Sequence, residues 1–234
     1  MSLWSKLCLC TVLSWYLTRK IQNRRRRAQR LVISIEGNIG SGKSTLVRAL
    51  QQTLPVAVYE EPVDSWTQLR DEQGRGLLQA YYADMAAVAF PMQMAALFTR
   101  FSLAREALAK SRVAIMERSI YADRQVFAAQ ARERGHISHL QGQIYDMWHA
   151  YFCRQLPTHV LIYLNTPPDV CASRVKHRDR AGEDQLSAGA LQVFHDSHET
   201  FVHSGVHRCH SLDGTLTPEA LATEASRIIL TYLE

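Results

Sequence analysis

The residues with the clearest chemistry in this chain are glycines, a lysine and a serine that follow a β-branched apolar run. Their spacing is Gly37-x4-Gly42-Lys43-Ser44, and a helical pattern starts directly after them. In such a P-loop, backbone N–H groups surround phosphate oxygens, the lysine reaches the β and γ phosphates, and the serine hydroxyl faces magnesium. The strand before it and the helix after it favour nucleoside triphosphate binding over a ligand-free glycine turn. The predicted ATP contacts are Gly37, Asn38, Ile39, Gly40, Ser41, Gly42, Lys43, Ser44 and Thr45.

Acids and an arginine follow two later strand candidates. Glu61 stands before Pro62 at the end of the second strand, and Glu117 and Arg118 end the third. Phosphoryl transfer to a hydroxyl needs a carboxylate for its proton, an acid that holds magnesium, and cations. We predict Glu61 as the base, held ionised by Arg118. Glu117 and Ser44 are the predicted Mg²⁺ ligands, directly or through water. A purely structural ion pair between Glu61 and Arg118 is the alternative.

A run of cations occupies residues 174–180. Arg174 and Arg178 share a helical face, and Gly182 indicates that the helix gives way to a loop. A cation-rich flap that closes over a triphosphate supplies transition-state charge and excludes water, whereas a solvated helix face is the alternative. We predict an arginine-rich lid in which Arg174, Arg178 and Arg180 contact ATP.

Strand and helix signals alternate after the P-loop, which is typical of a parallel sheet covered on both faces. The predicted class is α/β, with a five-stranded parallel sheet flanked by helices. Strands are predicted at 31–36, 56–60, 113–117, 159–164 and 207–212, and helices at 43–52, 86–110, 124–130, 138–155, 168–177, 188–204 and 218–233. Ligands of an open parallel sheet lie at the carboxyl ends of its strands, so the acids and the P-loop are expected to meet there.

Composition and charge limit the class of protein. The 234 residues, 47% of them hydrophobic, suit one domain with a short appendage. The formal charge of +5 arises in residues 1–30, which hold eight Lys or Arg and no acid, whereas the other 204 residues have a net charge of −3. The basicity therefore belongs to the N-terminal extension, and no nucleic-acid partner is predicted.

Cysteine and histidine spacing gives little support for a metal site. The five cysteines are an odd number without a C-x-x-C pair or a zinc spacing, which favours a reducing compartment. His195 and His198 stand near Glu199, where a metal site is one interpretation. The favoured interpretation is that they are half-buried histidines on the surface of an amphipathic helix.

The N-terminal extension, residues 1–30, allows three interpretations. Its apolar run, residues 7–17, is too short to span a bilayer and precedes the basic cluster, so no integral membrane segment is predicted. The segment is a mitochondrial presequence, a membrane-surface anchor acylated at Cys8 and Cys10, or an extension without an address. An intracellular location, mitochondrial or cytosolic, is expected.

Several separated motifs follow the P-loop in a recognisable order. They are Glu61-Pro62-Val63-x-x-Trp66, Phe90-Pro91-Met92-Gln93, Glu117-Arg118-Ser119-Ile120-Tyr121-x-Asp123-Arg124 and the arginine run. This order resembles the deoxyribonucleoside kinase family, which includes deoxycytidine, deoxyguanosine and mitochondrial thymidine kinases and the insect multisubstrate enzyme. The resemblance covers residues 31–234 as a deoxynucleoside kinase domain with the P-loop kinase fold. It implies transfer of the γ-phosphoryl group of ATP, with Mg²⁺, to the 5′-hydroxyl of a deoxyribonucleoside, and a homodimer formed through the long helices.

The resemblance also implies a role for each side of the nucleoside pocket. Gln93 would read the base edge through its amide, Phe127 would stack on the base, and Trp66 would close the pocket. Tyr82 and Glu183 match the positions that hold the sugar 3′-hydroxyl.

Base preference depends on Arg100 and Asp123. Thymidine-accepting relatives carry smaller or apolar residues at both positions, whereas this pair is similar to deoxycytidine and deoxyguanosine kinases. The ion pair would fill the room that a thymine methyl needs, and Ala96 leaves space consistent with that. We therefore expect deoxyadenosine, deoxyguanosine or deoxycytidine to be preferred over thymidine.

Three positions depart from the family pattern. Val88 stands where the family has an aromatic residue, and Met92 stands where it has Phe. Both changes are expected to alter the shape of the base pocket. Gly182 replaces an acid, which leaves Glu183 as the expected sugar contact.

Two other P-loop classes fit the chain less well. A nucleoside monophosphate kinase of the thymidylate type shares the P-loop, sheet and flap. Its acceptor phosphate needs further cations, and Glu61 would repel it. A regulatory nucleotide-binding module would typically carry a guanine-reading Asn-Lys-x-Asp motif, and the sequence has none.

Overall fold

The computed structural model describes residues 30–178, 180, 183 and 186–233. The predictions that fall on residues 1–29, including Cys8 and Cys10, and on Gly182 lie outside the described residues.

Five strands form one parallel sheet, which confirms the predicted class. They are β1 (Leu31–Gly37), β2 (Ala57–Tyr59), β3 (Val113–Glu117), β4 (His159–Asn165) and β5 (Arg208–Asp213). The order across the sheet is β2-β3-β1-β4-β5, so β1 lies at the centre. Because the order reverses beside β1, the loop that leaves it opens onto the crevice where such sheets bind ligands.

Ten helices and one π-helical segment lie between and after the strands in the described part of the chain. The π-helical segment, Asp123–Ala128, joins α5 to α6. The helices are α1 (Lys43–Thr53), α2 (Val63–Gln68), α3 (Leu77–Ala83), α4 (Met85–Lys110), α5 (Ile120–Ala122), α6 (Ala129–Glu133), α7 (His139–Cys153), α8 (Pro168–Arg178), α9 (Ala188–Val202) and α10 (Pro218–Leu233).

Both faces of the sheet are covered, as the continuous apolar strands require. On one face, Ile33 and its neighbours pack against α1 and α10 through residues such as Leu50 and Ile229. On the other face, α4 and α9 cover Val32 and Leu161. Strands buried on both sides read as nearly unbroken apolar runs, which is how β1, β3 and β4 stand out in the sequence.

Helix α4 is the longest element and carries part of the site. It begins after Asp84, whose carboxylate accepts a hydrogen bond from the N–H of Ala87. In the part of the chain that the structure describes, α4 alone has the length and apolar composition of a membrane span, and 33% of that stretch is buried in the fold. Core helices of soluble proteins can have the same length and apolar composition. The buried face of α4 includes the polar residues Gln93 and Arg100.

The sequence prediction differs from the structure between residues 60 and 83 and around 123. Helices α2 and α3 were not predicted, since they have only six and seven residues and neither has a side-chain cap. The predicted helix 124–130 begins as the π-helical segment. A π-helical turn contains an extra residue, a local distortion that often occurs at functional sites. Here it contributes Asp123 and Phe127 to the central cavity.

Candidate active site

A cavity of about 1470 Å³ lies at the carboxyl edge of the sheet. The register of the strands explains its position, because Ile35 lies opposite Glu117 and Gly37 opposite Leu164, so the P-loop and the end of β3 are adjacent. The cavity brings together residues from every predicted motif. Those that line it are Ile39, Gly40, Ser41, Gly42, Lys43, Ser44, Thr45, Glu61, Trp66, Tyr82, Gln93, Ala96, Arg100, Glu117, Arg118, Asp123, Phe127, Arg174, Arg178, Arg180 and Glu183.

The P-loop has the tight backbone that its glycines permit. Gly40 has φ +82°, and a Cβ there would lie 2.5 Å from the carbonyl oxygen of Cys171. Asn38 does not line the cavity, and its side chain makes contacts within the fold instead. Its amide nitrogen donates to the carbonyl of Leu191, at 2.8 Å, and its oxygen accepts from the N–H of Ile39. Asn38 therefore fastens the loop to α9.

Lys43 is buried at the foot of the loop. Its ammonium donates to the carbonyls of Gly37, at 3.1 Å, and Asn38, at 2.6 Å. Burial, helped by Arg118, lowers the pKa of Lys43 to about 7, against the opposing attraction of Glu117. An anion in the loop would restore its charge, so this lysine is suited to bind phosphate.

Two predicted metal ligands lie side by side. The hydroxyl of Ser44 donates to Glu117 Oε1 at 2.8 Å, and Glu117 Oε2 accepts from the N–H of Glu61 at 3.3 Å. Mg²⁺ prefers oxygen ligands and takes only one or two from protein when a triphosphate supplies others. The hydroxyl and carboxylate therefore fit this ion. Among the described residues there is no cluster of three or more His, Cys, Asp or Glu that could hold a metal.

Glu61 is an ionised carboxylate inside the cavity. Burial alone would raise its pKa, but Arg100, Arg118 and Lys43 outweigh burial and lower the pKa of Glu61 to about 2. The nearest of these cations was not predicted as a partner. Arg100 hydrogen bonds to both Glu61 and Asp123, whereas Nε of Arg118 lies 3.6 Å from Glu61 Oε1. Arg118 thus helps to hold Glu61 ionised, but Arg100 makes the closer contact and the larger contribution.

The nucleoside side of the cavity contains buried polar atoms without partners. They are Gln93 Oε1, Asp123 Oδ2 and Arg100 Nε. A buried polar atom costs free energy until a ligand or water pairs it, so these three atoms are suited to read a polar ring edge.

Aromatic residues enclose this side of the cavity. The indole N–H of Trp66 donates to Thr99 Oγ1 at 3.1 Å, which orients the ring. The guanidinium of Arg118 lies 4.5 Å from the ring centre of Phe127. Of the two departures that were expected to alter the base pocket, Met92 lines the cavity and Val88 does not, so Met92 is the one that shapes the pocket directly.

The arginine run forms two different contacts. Arg174 NH1 donates to the carbonyls of Ser41 and Gly214, each at 3.1 Å, so it braces the P-loop backbone. Arg178 makes a bidentate ion pair with Glu183, with hydrogen bonds of 2.6 and 2.7 Å. Arg180 lies 3.5 Å from the same carboxylate.

Tyr82 and Glu183 both line the cavity, and the charge of Glu183 acts on the Tyr82 hydroxyl. Burial, followed by the charge of Glu183, raises the pKa of Tyr82, so its hydroxyl stays protonated and able to donate. Glu183 is 4% exposed. A hydroxyl donor and a carboxylate acceptor together suit recognition of a sugar hydroxyl.

Three supporting residues were not predicted in their observed roles. Glu36 Oε1 accepts from the N–H of Ser119 at 2.8 Å, which holds the turn after β3. Thr99 orients Trp66, as described above. His198 is fully buried rather than half-buried, and its Nε2 lies 3.2 Å from Arg118 NH1. Only the His198–Glu199 pattern gave a sequence signal, and the nearby Arg118 is 80 positions away in the chain.

Comparisons with known proteins agree with this geometry. The sequence model of the family described as deoxynucleoside kinase matches residues 33–229. A probable deoxycytidine kinase of fowlpox virus is 33% identical over 173 residues, 73% of this chain and 71% of its own. The mitochondrial deoxyguanosine kinase of Xenopus laevis is 29% identical over 206 residues, 79% of this chain and 77% of its own. A thymidine kinase of ictalurid herpesvirus 1 is 34% identical over 178 residues, 74% of this chain and 75% of its own.

The family match includes β2 to β5, all of β1 except its first two residues, and all the site residues assembled in the cavity. It runs from within β1 into α10, and thus covers most of the chain. The chain belongs to the deoxynucleoside kinase family and is a phosphotransferase with a P-loop kinase fold.

Proposed function

We propose that this protein transfers the γ-phosphoryl group of ATP to the 5′-hydroxyl of a deoxyribonucleoside. The observation that carries the proposal is the position of Glu61, an ionised carboxylate in the same cavity as the P-loop. An uncharged hydroxyl can approach this carboxylate, whereas an acceptor phosphate would be repelled. The cavity therefore favours a nucleoside over a nucleoside monophosphate.

The cavity offers a residue for each step of the proposed reaction. Glu61 orients the 5′-hydroxyl and takes its proton as the oxygen attacks. Lys43 and the P-loop N–H groups hold the triphosphate, and Arg118 lies beside Glu61 where charge develops. Arg178 and Arg180 add positive charge from the lid. Bound Mg²⁺, held by Ser44 and Glu117, would supply charge neutralisation on the phosphates.

We infer a preference for deoxycytidine, deoxyguanosine or deoxyadenosine over thymidine. Arg100 and Asp123 form a buried ion pair at the wall of the pocket, with side chains 5% and 2% exposed. The free Asp123 Oδ2 can accept from an exocyclic amine, which thymine lacks, and Gln93 offers an amide beside it. The relatives include kinases named for deoxycytidine, deoxyguanosine and thymidine, so the preference rests on these side chains.

We also propose a homodimer through α4 and α7. Large apolar side chains on these two helices are exposed, in a pattern that is typical of an interface and unusual for a monomer surface. They are Phe98, Leu140, Met147, Trp148 and Tyr151.

The boundary between extension and catalytic domain is proposed at residue 30. The family match begins at residue 33, close to the start of β1. The relative from Xenopus laevis carries the word mitochondrial in its name. A mitochondrial presequence in residues 1–30 is one of three proposals, together with a membrane-surface anchor and an extension without an address.

A phosphoryl-transfer assay on the full chain tests the function. The protein is given ATP and Mg²⁺ with each of the four deoxyribonucleosides, and separately with their 5′-monophosphates. We expect phosphorylation of deoxycytidine, deoxyguanosine or deoxyadenosine to exceed that of thymidine. Thymidine as the best substrate would contradict the base preference alone. Turnover of monophosphates only would identify a monophosphate kinase and overturn the proposed function.

A further inference from the structure

Helix α9 carries a buried histidine that the proposed mechanism leaves unused. His198 is 0% exposed. Its ring stacks on Tyr163 with 6.3 Å between ring centres, and it meets Phe127 edge-on at 5.9 Å. His198 does not line the cavity, whereas Phe127 and Arg118 do. Any part that it takes in the reaction must therefore act through a neighbour.

The two ring nitrogens of His198 face different partners. Nδ1 lies 2.7 Å from the carbonyl oxygen of Phe194, and a carbonyl only accepts, so Nδ1 carries the hydrogen. Nε2 lies 3.2 Å from NH1 of Arg118, and a guanidinium only donates. The ring is therefore neutral and accepts a hydrogen bond from Arg118 at Nε2. Burial, helped by the charge of Arg118, lowers the pKa of His198 well below its usual value.

Arg118 needs such support because its own backbone is unusual. It has φ +67°, the single positive value for a residue other than glycine in the described chain. A residue other than glycine keeps this left-handed backbone conformation only because its surroundings hold it there, at a cost in free energy. NH1 of Arg118 donates to the carbonyl of Gly37, at 3.2 Å, as well as to His198. Both contacts hold one end of the guanidinium while Nε faces Glu61.

The hydrogen bond between His198 and Arg118 is a second buried polar contact between α9 and the cavity. Two helical turns earlier, the carbonyl of Leu191 accepts a hydrogen bond from the side chain of Asn38, which holds the P-loop in place. Helix α9 therefore makes one buried polar contact with the phosphate-binding loop and a second with the arginine beside the base. A histidine that served only the core would not require a partner in the cavity wall.

We propose that His198 is a positioning residue for phosphoryl transfer. Its neutral Nε2 accepts the NH1 hydrogen bond of Arg118 and fixes the guanidinium at Glu61, where charge develops in the transition state. The inference rests on the proposed function. Since orientation matters more in the transition state than in binding of the nucleoside, loss of this contact lowers kcat more than it changes KM.

Three variants separate positioning from folding. His198→Leu removes the acceptor at similar volume, and His198→Gln places an amide oxygen near the position of Nε2. His159→Leu is the matched control, because His159 is also buried and its Nδ1 also pairs with a backbone carbonyl, that of Pro157 at 3.1 Å. His159 begins β4, at the end of the sheet away from the cavity.

Steady-state kinetics with the best deoxyribonucleoside and denaturant unfolding are measured for all four proteins. We expect His198→Leu to lower kcat about tenfold or more, with KM changed less than about threefold. His198→Gln should recover most of kcat, and His159→Leu should keep it while losing stability like His198→Leu.

Two results would overturn the inference while the proposed function stands. One is a kcat for His198→Leu equal to that of His159→Leu. The other is a kcat for His198→Gln as low as that for His198→Leu, since the acceptor atom would then be irrelevant. A wild-type protein that phosphorylates no deoxyribonucleoside would instead overturn the proposed function and the inference together.

Discussion

Two clusters of arginine and carboxylate in this molecule contain similar groups in opposite surroundings. In the first, Arg100 bridges Glu61 and Asp123 inside the cavity wall, and the three side chains are 5%, 20% and 2% exposed. Burial makes each charge depend on the others, because an unpaired ion in this environment loses its hydration without compensation. This cluster therefore keeps Glu61 ionised and forms part of the cavity wall.

The second cluster lies between α7 and the α5–α6 segment. Asp146 bridges Arg124, at 2.8 Å, and Arg132, at 3.0 Å, with all three side chains 31% to 38% exposed. Water screens these charges, so each pair contributes at most about 1 kcal/mol to stability. Hydrogen bonds to both arginines lower the pKa of Asp146, although partial burial acts in the opposite direction. The comparison indicates that burial, more than the number of ion pairs, decides how strongly the charges of a cluster depend on one another.

The largest expected difference between the two clusters is in kcat, when one carboxylate of each cluster is neutralised. Glu61→Gln removes the base and leaves Arg100 and Arg118 without their shared anion. We expect kcat to fall by about 10²–10⁴-fold. Asp146→Asn should change kcat less than about twofold, because Asp146 is outside the cavity. Retention of kcat by Glu61→Gln would show that Glu61 only orients the substrate or is structural.

Substrate choice provides a second contrast between the clusters. Arg100→Met with Asp123→Ala removes the buried pair together, which avoids leaving one ion unpaired. We expect the ratio of thymidine to deoxycytidine turnover to rise about tenfold or more, because room opens for the thymine methyl and the acceptor for an amine is lost. Absolute rates should fall, since Arg100 also contacts Glu61.

The matched control changes the exposed cluster in the same way. Arg132→Met with Asp146→Ala should leave the thymidine to deoxycytidine ratio unchanged. An unchanged ratio in the variant of the buried pair would contradict the role of Arg100 and Asp123 in base choice. Separate kcat and KM values for each nucleoside distinguish a change in pocket shape from a general loss of rate.

The sequence was sufficient for the sheet and for most of the cavity wall. The buried strands β1, β3 and β4 give nearly unbroken apolar runs. The P-loop glycines have the spacing that a phosphate cradle requires. The carboxyl-edge rule then placed Glu61 and Glu117 beside the loop. These predictions depend on local patterns and on one topological rule, and both can be read along the chain.

Contacts between distant residues could not be read in this way. Arg100 meets Glu61 across 39 positions, and His198 meets Arg118 across 80. Asn38 sits in the P-loop pattern, yet its side chain turns to Leu191. In each case a charged or amide side chain has several partners within reach, and packing of α4 or α9 selects one. The type of a side chain limits which kinds of group it can pair with, and the fold decides which residue supplies that group.

The smallest expected difference between the two clusters is in how much folding stability each one loses at acid pH. The pKa of Glu61 lies at about 2, below the ordinary 4.5, so its ionised form stabilises the folded state. The unfolded chain binds more protons between these values, so this stabilisation is complete above about pH 4.5 and is lost as the pH falls through about 2. It amounts to at most about 3 kcal/mol.

The measurement compares the free energy of unfolding of wild type and Glu61→Gln between pH 7 and pH 2. We expect the advantage of wild type to be constant down to about pH 4.5 and then to shrink, because the protonated carboxyl no longer attracts Arg100. Asp146→Asn should show a change in the same direction, since the pKa of Asp146 is also lowered, but a smaller one because solvent screens that cluster. An advantage that grows toward acid would mean that Glu61 is protonated in the folded protein, and the two clusters would then differ in sign as well as in size.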